Sequence, residues 1–109
     1  YKERAAARCA RLTPLARRVG AVNCWWVDAS GALVGDNTDV GGFDEAVRML
    51  VGDPAGARVA VLGAGGSARA VLAAVGGWPG ATARLWARTP ARAEALADTG
   101  LCDASVAYL

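Results

Sequence analysis

Histidine is absent from the 109 residues, and lysine occurs once, at Lys2, among 12 basic residues that are otherwise arginine. Without imidazole this segment holds no serine-type triad, no cysteine–histidine pair and none of the usual zinc sites, and no metal is expected. No apolar stretch approaches the ~20 residues of a transmembrane helix, and no signal peptide is visible. Cysteine is sparse: Cys9, Cys24 and Cys102 are an odd number without a C-x-x-C pair, which reads as free thiols in a reducing cytosol and makes a cytoplasmic location the expectation. Charge of one sign is lacking as well. The net charge of +2 is unclustered and suggests neither a nucleic-acid partner nor a membrane surface.

What is present is a chain with 54% hydrophobic and 20% charged residues, too apolar to be disordered and long enough for one ordinary domain at most. It is short for a cofactor enzyme with separate substrate and nucleotide domains. Because it opens at Tyr1 and stops inside the apolar run 104–109, it reads as an internal fragment of a longer protein.

Residues 2–12 are Ala- and Arg-rich, with Ala6, Cys9, Ala10 and Thr13 on one helical face, and predict a helix. Thr13 caps a second short helix that has Pro14 at its first position. Residues 21–27 and 32–35 flank the turn Ala29-Ser30-Gly31 and predict an antiparallel hairpin. A further helix starts near Asp39, its own candidate N-cap, with Phe43, Ala46, Val47 and Leu50 on one face. After the linker 52–56, residues 58–62 are a continuous apolar run, as in a parallel strand covered on both faces. Helix, strand 82–87, a helix capped by Thr89-Pro90 and a third strand near Ser105 follow. This β-α-β-α-β order is the first half of a Rossmann-type doubly wound parallel sheet, preceded by the end of another α/β unit. The expected division is 1–38, the C-terminal part of a substrate-binding domain; 39–57, a connecting helix and linker; and 58–109, an incomplete nucleotide-binding domain.

Directly after the strand at 58–62 comes Gly63-Ala64-Gly65-Gly66-Ser67-Ala68, which fits G-x-G-x-x-A. Gly63 makes the tight turn, Gly65 lets backbone N–H groups approach a pyrophosphate, and Ala68 permits close helix–strand packing. The helix N-terminus supplies the positive dipole end. At the end of the next strand, where an NAD-binding fold places an acid for the ribose hydroxyls, the chain reads Trp86-Ala87-Arg88-Thr89-Pro90-Ala91-Arg92. No acid precedes Glu94, and two arginines flank a hydroxyl-bearing helix start, so NADP is the expected cofactor, its 2′-phosphate held by Arg88, Thr89 and Arg92. Elsewhere the readings stay open. Lys2 is either a solvated end charge or a group retained because, unlike arginine, it can give up its proton. Asn23 and Asp39 are either turn and cap residues or hydrogen-bonding groups for a polyhydroxylated ligand, with Asp39 able to share a proton with Lys2. Of Trp25 and Trp26, which alternate faces in a strand, one is expected in the core.

The order of these motifs resembles the quinate/shikimate dehydrogenase family. The resemblance rests on Tyr1-Lys2-Glu3, on Gly20-Ala21-Val22-Asn23, on the run from Gly35 through Asp36-Asn37-Thr38-Asp39 to Phe43, on the glycine loop with Arg69-Ala70, and on Arg88-Thr89-Pro90-Ala91-Arg92-Ala93. It spans essentially the whole chain. By that resemblance Lys2 is the catalytic lysine and Asp39 its carboxylate partner, and both contact the substrate together with Asn23. Gly63, Ala64, Gly65, Gly66 and Ser67 form the phosphate loop, and Arg88, Thr89 and Arg92 the 2′-phosphate pocket. The implied reaction is the NADP-dependent reversible reduction of 3-dehydroshikimate to shikimate, a step of aromatic amino-acid biosynthesis. The implied partner is that small-molecule substrate, and the whole protein could form a homodimer. Cys24 stands where the family usually has threonine, and Ala87 replaces the family's asparagine before Arg-Thr. The family's N-terminal serine-bearing strands and C-terminal Gln-bearing helix lie outside this chain, so the 109 residues alone are expected to be inactive. Three alternatives are a family member of other specificity, a related reductase such as glutamyl-tRNA reductase, and a degenerate module that binds a dinucleotide without turnover. The Asn-Thr-Asp segment and the lysine ahead of Ala-Val-Asn argue against the reductase.

Overall fold

The computed structural model describes residues 1–108. In chain order the elements are α1 (Lys2–Arg8), β1 (Arg11–Leu12), α2 (Pro14–Val19), β2 (Cys24–Val27), β3 (Leu33–Asp36), α3 (Asp39–Val51), β4 (Arg58–Leu62), α4 (Gly66–Gly76), β5 (Thr82–Trp86), α5 (Pro90–Ala97) and β6 (Asp103–Val106). They build two three-stranded sheets, ordered β1-β3-β2 and β4-β5-β6.

In the first sheet β2 and β3 form the expected hairpin, Cys24 opposite Asp36 and Val27 opposite Leu33. Its turn is held by Asp28, whose Oδ1 accepts from the Ser30 hydroxyl at 2.6 Å and from the Ser30 and Ala32 N–H groups at 2.9 and 3.0 Å. Those donors, the Ser30 hydroxyl first, hold the Asp28 carboxyl below its usual range. The helix expected over 2–12 ends at Arg8. Cys9 is already extended, the Ala10 N–H donates to the Leu33 carbonyl at 2.8 Å, and Arg11 and Leu12 pair in parallel with Val34 and Gly35. Strand pairing overrides helix propensity here because Gly35 leaves the room: a Cβ there would lie 2.7 Å from Cys9 Sγ and 3.1 Å from Leu12 Cδ2. Trp25 and Trp26 are both exposed, at 59% and 45%, so neither enters the core; β2 is a sheet edge exposed along its whole length.

The second sheet is parallel throughout, with Val61 opposite Leu85 and Leu85 opposite Val106. The face carrying Val59, Val61, Ala83, Leu85, Ala104 and Val106 packs into the core with α4 and α5. The opposite face, with Arg58, Ala60, Thr82, Arg84, Asp103 and Ser105, borders an open hollow of about 520 Å³. The expectation that 58–62 is covered on both faces is therefore corrected: its residues alternate, and Leu62 is 79% exposed.

A single core joins the two halves, because Val19 and Ala21 belong to the same buried cluster as Leu72, Val75 and Leu85. Helix α3 lies along α4, where Phe43 stacks on Trp78 with ring centroids 5.9 Å apart and the Trp78 indole donates to Asp44. Phe43 and Val47 pack against the core, but Leu50 from the same expected stripe is exposed. Among the described residues no helix is long and apolar enough to cross a membrane.

Candidate active site

Thr13 and Pro14 start α2 as expected, the Thr13 hydroxyl accepting from the Ala16 N–H at 3.2 Å. The same hydroxyl donates to Asp36 Oδ1 at 2.6 Å, which fixes the end of β3 and so the start of α3. There the cap differs from expectation. Asp39 is the first helical residue, and Asn37, only 2% exposed, supplies the capping oxygen to the N–H groups of Asp39 and Val40 at 3.0 and 3.3 Å. The Asn37 amide donates in turn to the Ala21 carbonyl at 3.1 Å. With capping done by its neighbour, the Asp39 carboxylate is left for other partners.

Those partners come from distant parts of the chain. Lys2 Nζ donates to Asp39 Oδ2, and the Asn23 amide donates to Asp39 Oδ1 at 2.8 Å. Asn23 is itself oriented twice: it donates to the Thr38 hydroxyl at 2.9 Å, and its oxygen accepts from the Thr38 N–H at 2.9 Å. Lys2 Nζ also donates to the Ser67 hydroxyl at 3.1 Å, which brings α1, α3 and α4 to one point. Lys2 and Asp39 keep side-chain exposures of 29% and 35%, so the pair is reachable by a ligand. A cavity of about 350 Å³ opens beside it, lined by Lys2, Thr38, Asp39, Phe43, Ser67 and Val71.

The glycine loop follows β4. Gly63 has φ +127, which only glycine adopts without strain, and its N–H donates to the Trp86 carbonyl at 2.7 Å, so the loop lies against the C-terminal end of β5. A Cβ at Gly63 or at Gly65 would meet nothing within 4 Å, and no side chain caps α4. The first N–H groups of that helix are therefore free for an anion. Gly66 is tight instead: a Cβ there would lie 2.7 Å from Lys2 Cβ, so the loop can sit this close to the lysine only with glycine at 66. Arg88, Thr89 and Arg92 gather at the C-terminal end of β5 and the start of α5, all exposed. Neither arginine has an ion-pair partner among the described residues. Thr89 occupies the N-cap position, but its hydroxyl makes no capping bond, contrary to expectation, and stays free for a ligand.

Spacing in the sequence gives no sign of three of these contacts. Thr38 orients Asn23, Ser67 reaches Lys2, and Arg69 anchors α4: its Nη1 donates to the Val19 carbonyl at 3.1 Å and its Nε lies 3.6 Å from Glu3 Oε1. The hydroxyls and the guanidinium are visible as residue types, but their partners lie 15 to 66 positions away along the chain.

No protein-family model matches the chain. Sequence comparison finds shikimate dehydrogenase (NADP(+)) of Methylobacterium radiotolerans 46% identical over 103 residues, covering 89% of this chain and 36% of that protein. Among solved structures, shikimate dehydrogenase from Aquifex aeolicus superposes with a TM-score of 0.85 at 32% identity, over 95% of this chain and 38% of the other. Shikimate 5-dehydrogenase from Thermus thermophilus, in complex with NADP(H) and shikimate, superposes with a TM-score of 0.76 at 40% identity, over 95% and 39%. The chain thus spans about a third of the length of the curated relatives it matches.

Proposed function

We propose, for a chain that belongs to the shikimate dehydrogenase family, that the whole protein interconverts 3-dehydroshikimate and shikimate with NADP. The observation that carries the reading is the Lys2–Asp39 ion pair, oriented by Asn23 and facing a cavity that borders the glycine-loop helix.

The residues fit a dinucleotide: the open space at Gly63 and Gly65, the uncapped start of α4, and Arg88 and Arg92, without an ion-pair partner among the described residues, are what its phosphates need. In this reading the backbone from Gly63 through Ala64, Gly65 and Gly66 to Ser67 holds the pyrophosphate, and Arg88, Thr89 and Arg92 hold the 2′-phosphate. NADP, when bound, supplies or receives the hydride. Lys2 sits at the reacting oxygen. In the reducing direction it gives the carbonyl oxygen a proton, and in the oxidising direction the Lys2–Asp39 pair takes the proton of the hydroxyl. Asp39 holds the amine in place through Oδ2, while Asn23 both fixes Asp39 through Oδ1 and is placed to contact a substrate hydroxyl. Residues 1–38 are read as the C-terminal part of the substrate-binding domain, 39–57 as connecting helix and linker, and 58–109 as the start of the NADP-binding domain. A cytoplasmic location and a homodimer of the whole protein go with this reading.

The test is spectrophotometric, on the whole gene product, with shikimate or quinate and NADP or NAD. Shikimate with NADP is expected to give the highest kcat/KM; a higher value for quinate with NAD would replace the assignment by a family member of other specificity, and no turnover with any pair would leave a binding module.

A further inference from the structure

We propose that Ser67 is a positioning residue for Lys2, its hydroxyl turned to the amine rather than to the cofactor phosphates. The inference rests on the dehydrogenase reading above and adds to it a side chain from the nucleotide-binding half.

An ammonium group has three N–H donors in fixed tetrahedral directions, at the end of a stem with four rotatable bonds. One partner leaves the amine free to swing about the contact; two partners in different directions fix it. In this protein the two come from different helices, Asp39 on α3 and Ser67 on α4 at 3.1 Å, and the third donor is left for the cavity that Lys2 itself lines. The stem is confined as well, because it runs against Gly66, where a Cβ would lie 2.7 Å from Lys2 Cβ and 2.9 Å from Lys2 Cδ. Arg69, one turn along, ties α4 to the α2 C-terminus through the Val19 carbonyl and approaches Glu3 beside Lys2, so the two helices that carry the contact are held in register. The phosphate loop does not need this hydroxyl: the backbone N–H groups at the start of α4 are uncapped and remain available to an anion.

The substitutions Ser67→Ala and Ser67→Thr separate the roles, since alanine is a better helix former than serine and threonine keeps the hydroxyl. In the whole gene product, Ser67→Ala is expected to lower kcat for shikimate oxidation about tenfold, the scale of a displaced catalytic group, with KM for NADP changed less than about twofold. Ser67→Thr should restore kcat to within about twofold. A raised KM for NADP with kcat unchanged would assign the hydroxyl to the phosphates and overturn the proposal. So would unchanged kinetics, or a loss that threonine does not recover. A second readout needs no turnover: acylation of Lys2 by acetic anhydride, followed on its peptide by mass spectrometry, should be at least about twofold faster in Ser67→Ala, because the amine has lost a partner. If the unsubstituted protein fails to oxidise shikimate, the dehydrogenase reading falls and the acylation rates alone decide on Ser67. Equal rates in the two proteins would sink it.

Discussion

At the scale of single residues, a site emerges in which one ionic contact is fixed by neutral neighbours. Lys2→Met and Asp39→Asn are each expected to lower turnover of the whole protein by at least about 10²-fold, the scale of a lost proton-transfer group. Affinity for NADP, measured by fluorescence titration, should hardly change, because neither side chain belongs to the loop or to the arginine pair. At the other end of the proposed cofactor, Arg88→Asp replaces a charge-assisted donor by a repulsive carboxylate. The ratio of kcat/KM with NADP to that with NAD should fall by about 10²-fold or more, a few kcal/mol. An unchanged ratio would remove Arg88 from the pocket. Reactivity of the thiols follows the same local logic: Cys24 is exposed, whereas burial first and then Asp103 push the Cys102 thiol up, so maleimide should label Cys24 before Cys102.

At the scale of elements, the start of α3 and the two ends of α4 carry the arrangement. Asn37 caps α3 with its oxygen and anchors the Ala21 carbonyl with its amide while almost fully buried. Asn37→Ala should therefore cost about 1–3 kcal/mol in urea melts, the penalty of losing a cap and stranding a buried carbonyl. Tight packing governs the far end of α4, where a Cβ at Gly76 would lie 2.0 Å from the Leu101 carbonyl oxygen. Gly76→Ala forces backbone to move and is expected to destabilise by about 1–3 kcal/mol or more. The joint between α3 and α4 depends on pH. The Trp78 indole, and next the Arg48 guanidinium, hold the Asp44 carboxyl below the usual carboxylate range. A depressed folded value means that the contribution is full above the unfolded pKa of about 3.9 and is lost as pH falls through the folded one. Thermal melts of the protein and of Asp44→Asn should accordingly differ at pH 7 and begin to converge only as the pH falls below about 4.

At the scale of the whole molecule, the order β4-β5-β6 leaves β4 as an unpaired edge and one face of the sheet bare from Arg58 to Ser105. Exposed strand edges with apolar neighbours such as Leu62 pair readily with other chains. The 109 residues expressed alone are therefore expected to self-associate in sedimentation velocity and to show no shikimate oxidation. A monodisperse, active monomer would show that these strands need no further cover.

Local chemistry made much of this legible in the sequence. The Thr13-Pro14 start of α2, the hairpin around Ser30-Gly31, the parallel β-α-β-α-β order and the loop from Gly63 to Ser67 each follow from propensities acting within a few residues. Residue types also narrowed the site, since Lys2 is the only amine-bearing side chain beside eleven arginines. Where long-range contacts compete with local preference, the sequence was silent or misleading. Helix propensity over residues 2–12 gave way to pairing with β3, the tryptophans stayed outside, and Asn37 rather than Asp39 took the cap. The family resemblance already paired Lys2 with Asp39, but only the tertiary structure adds Ser67 to that pair, because these contacts close 37 and 65 positions of chain through the packing of α1, α3 and α4, which no local rule encodes.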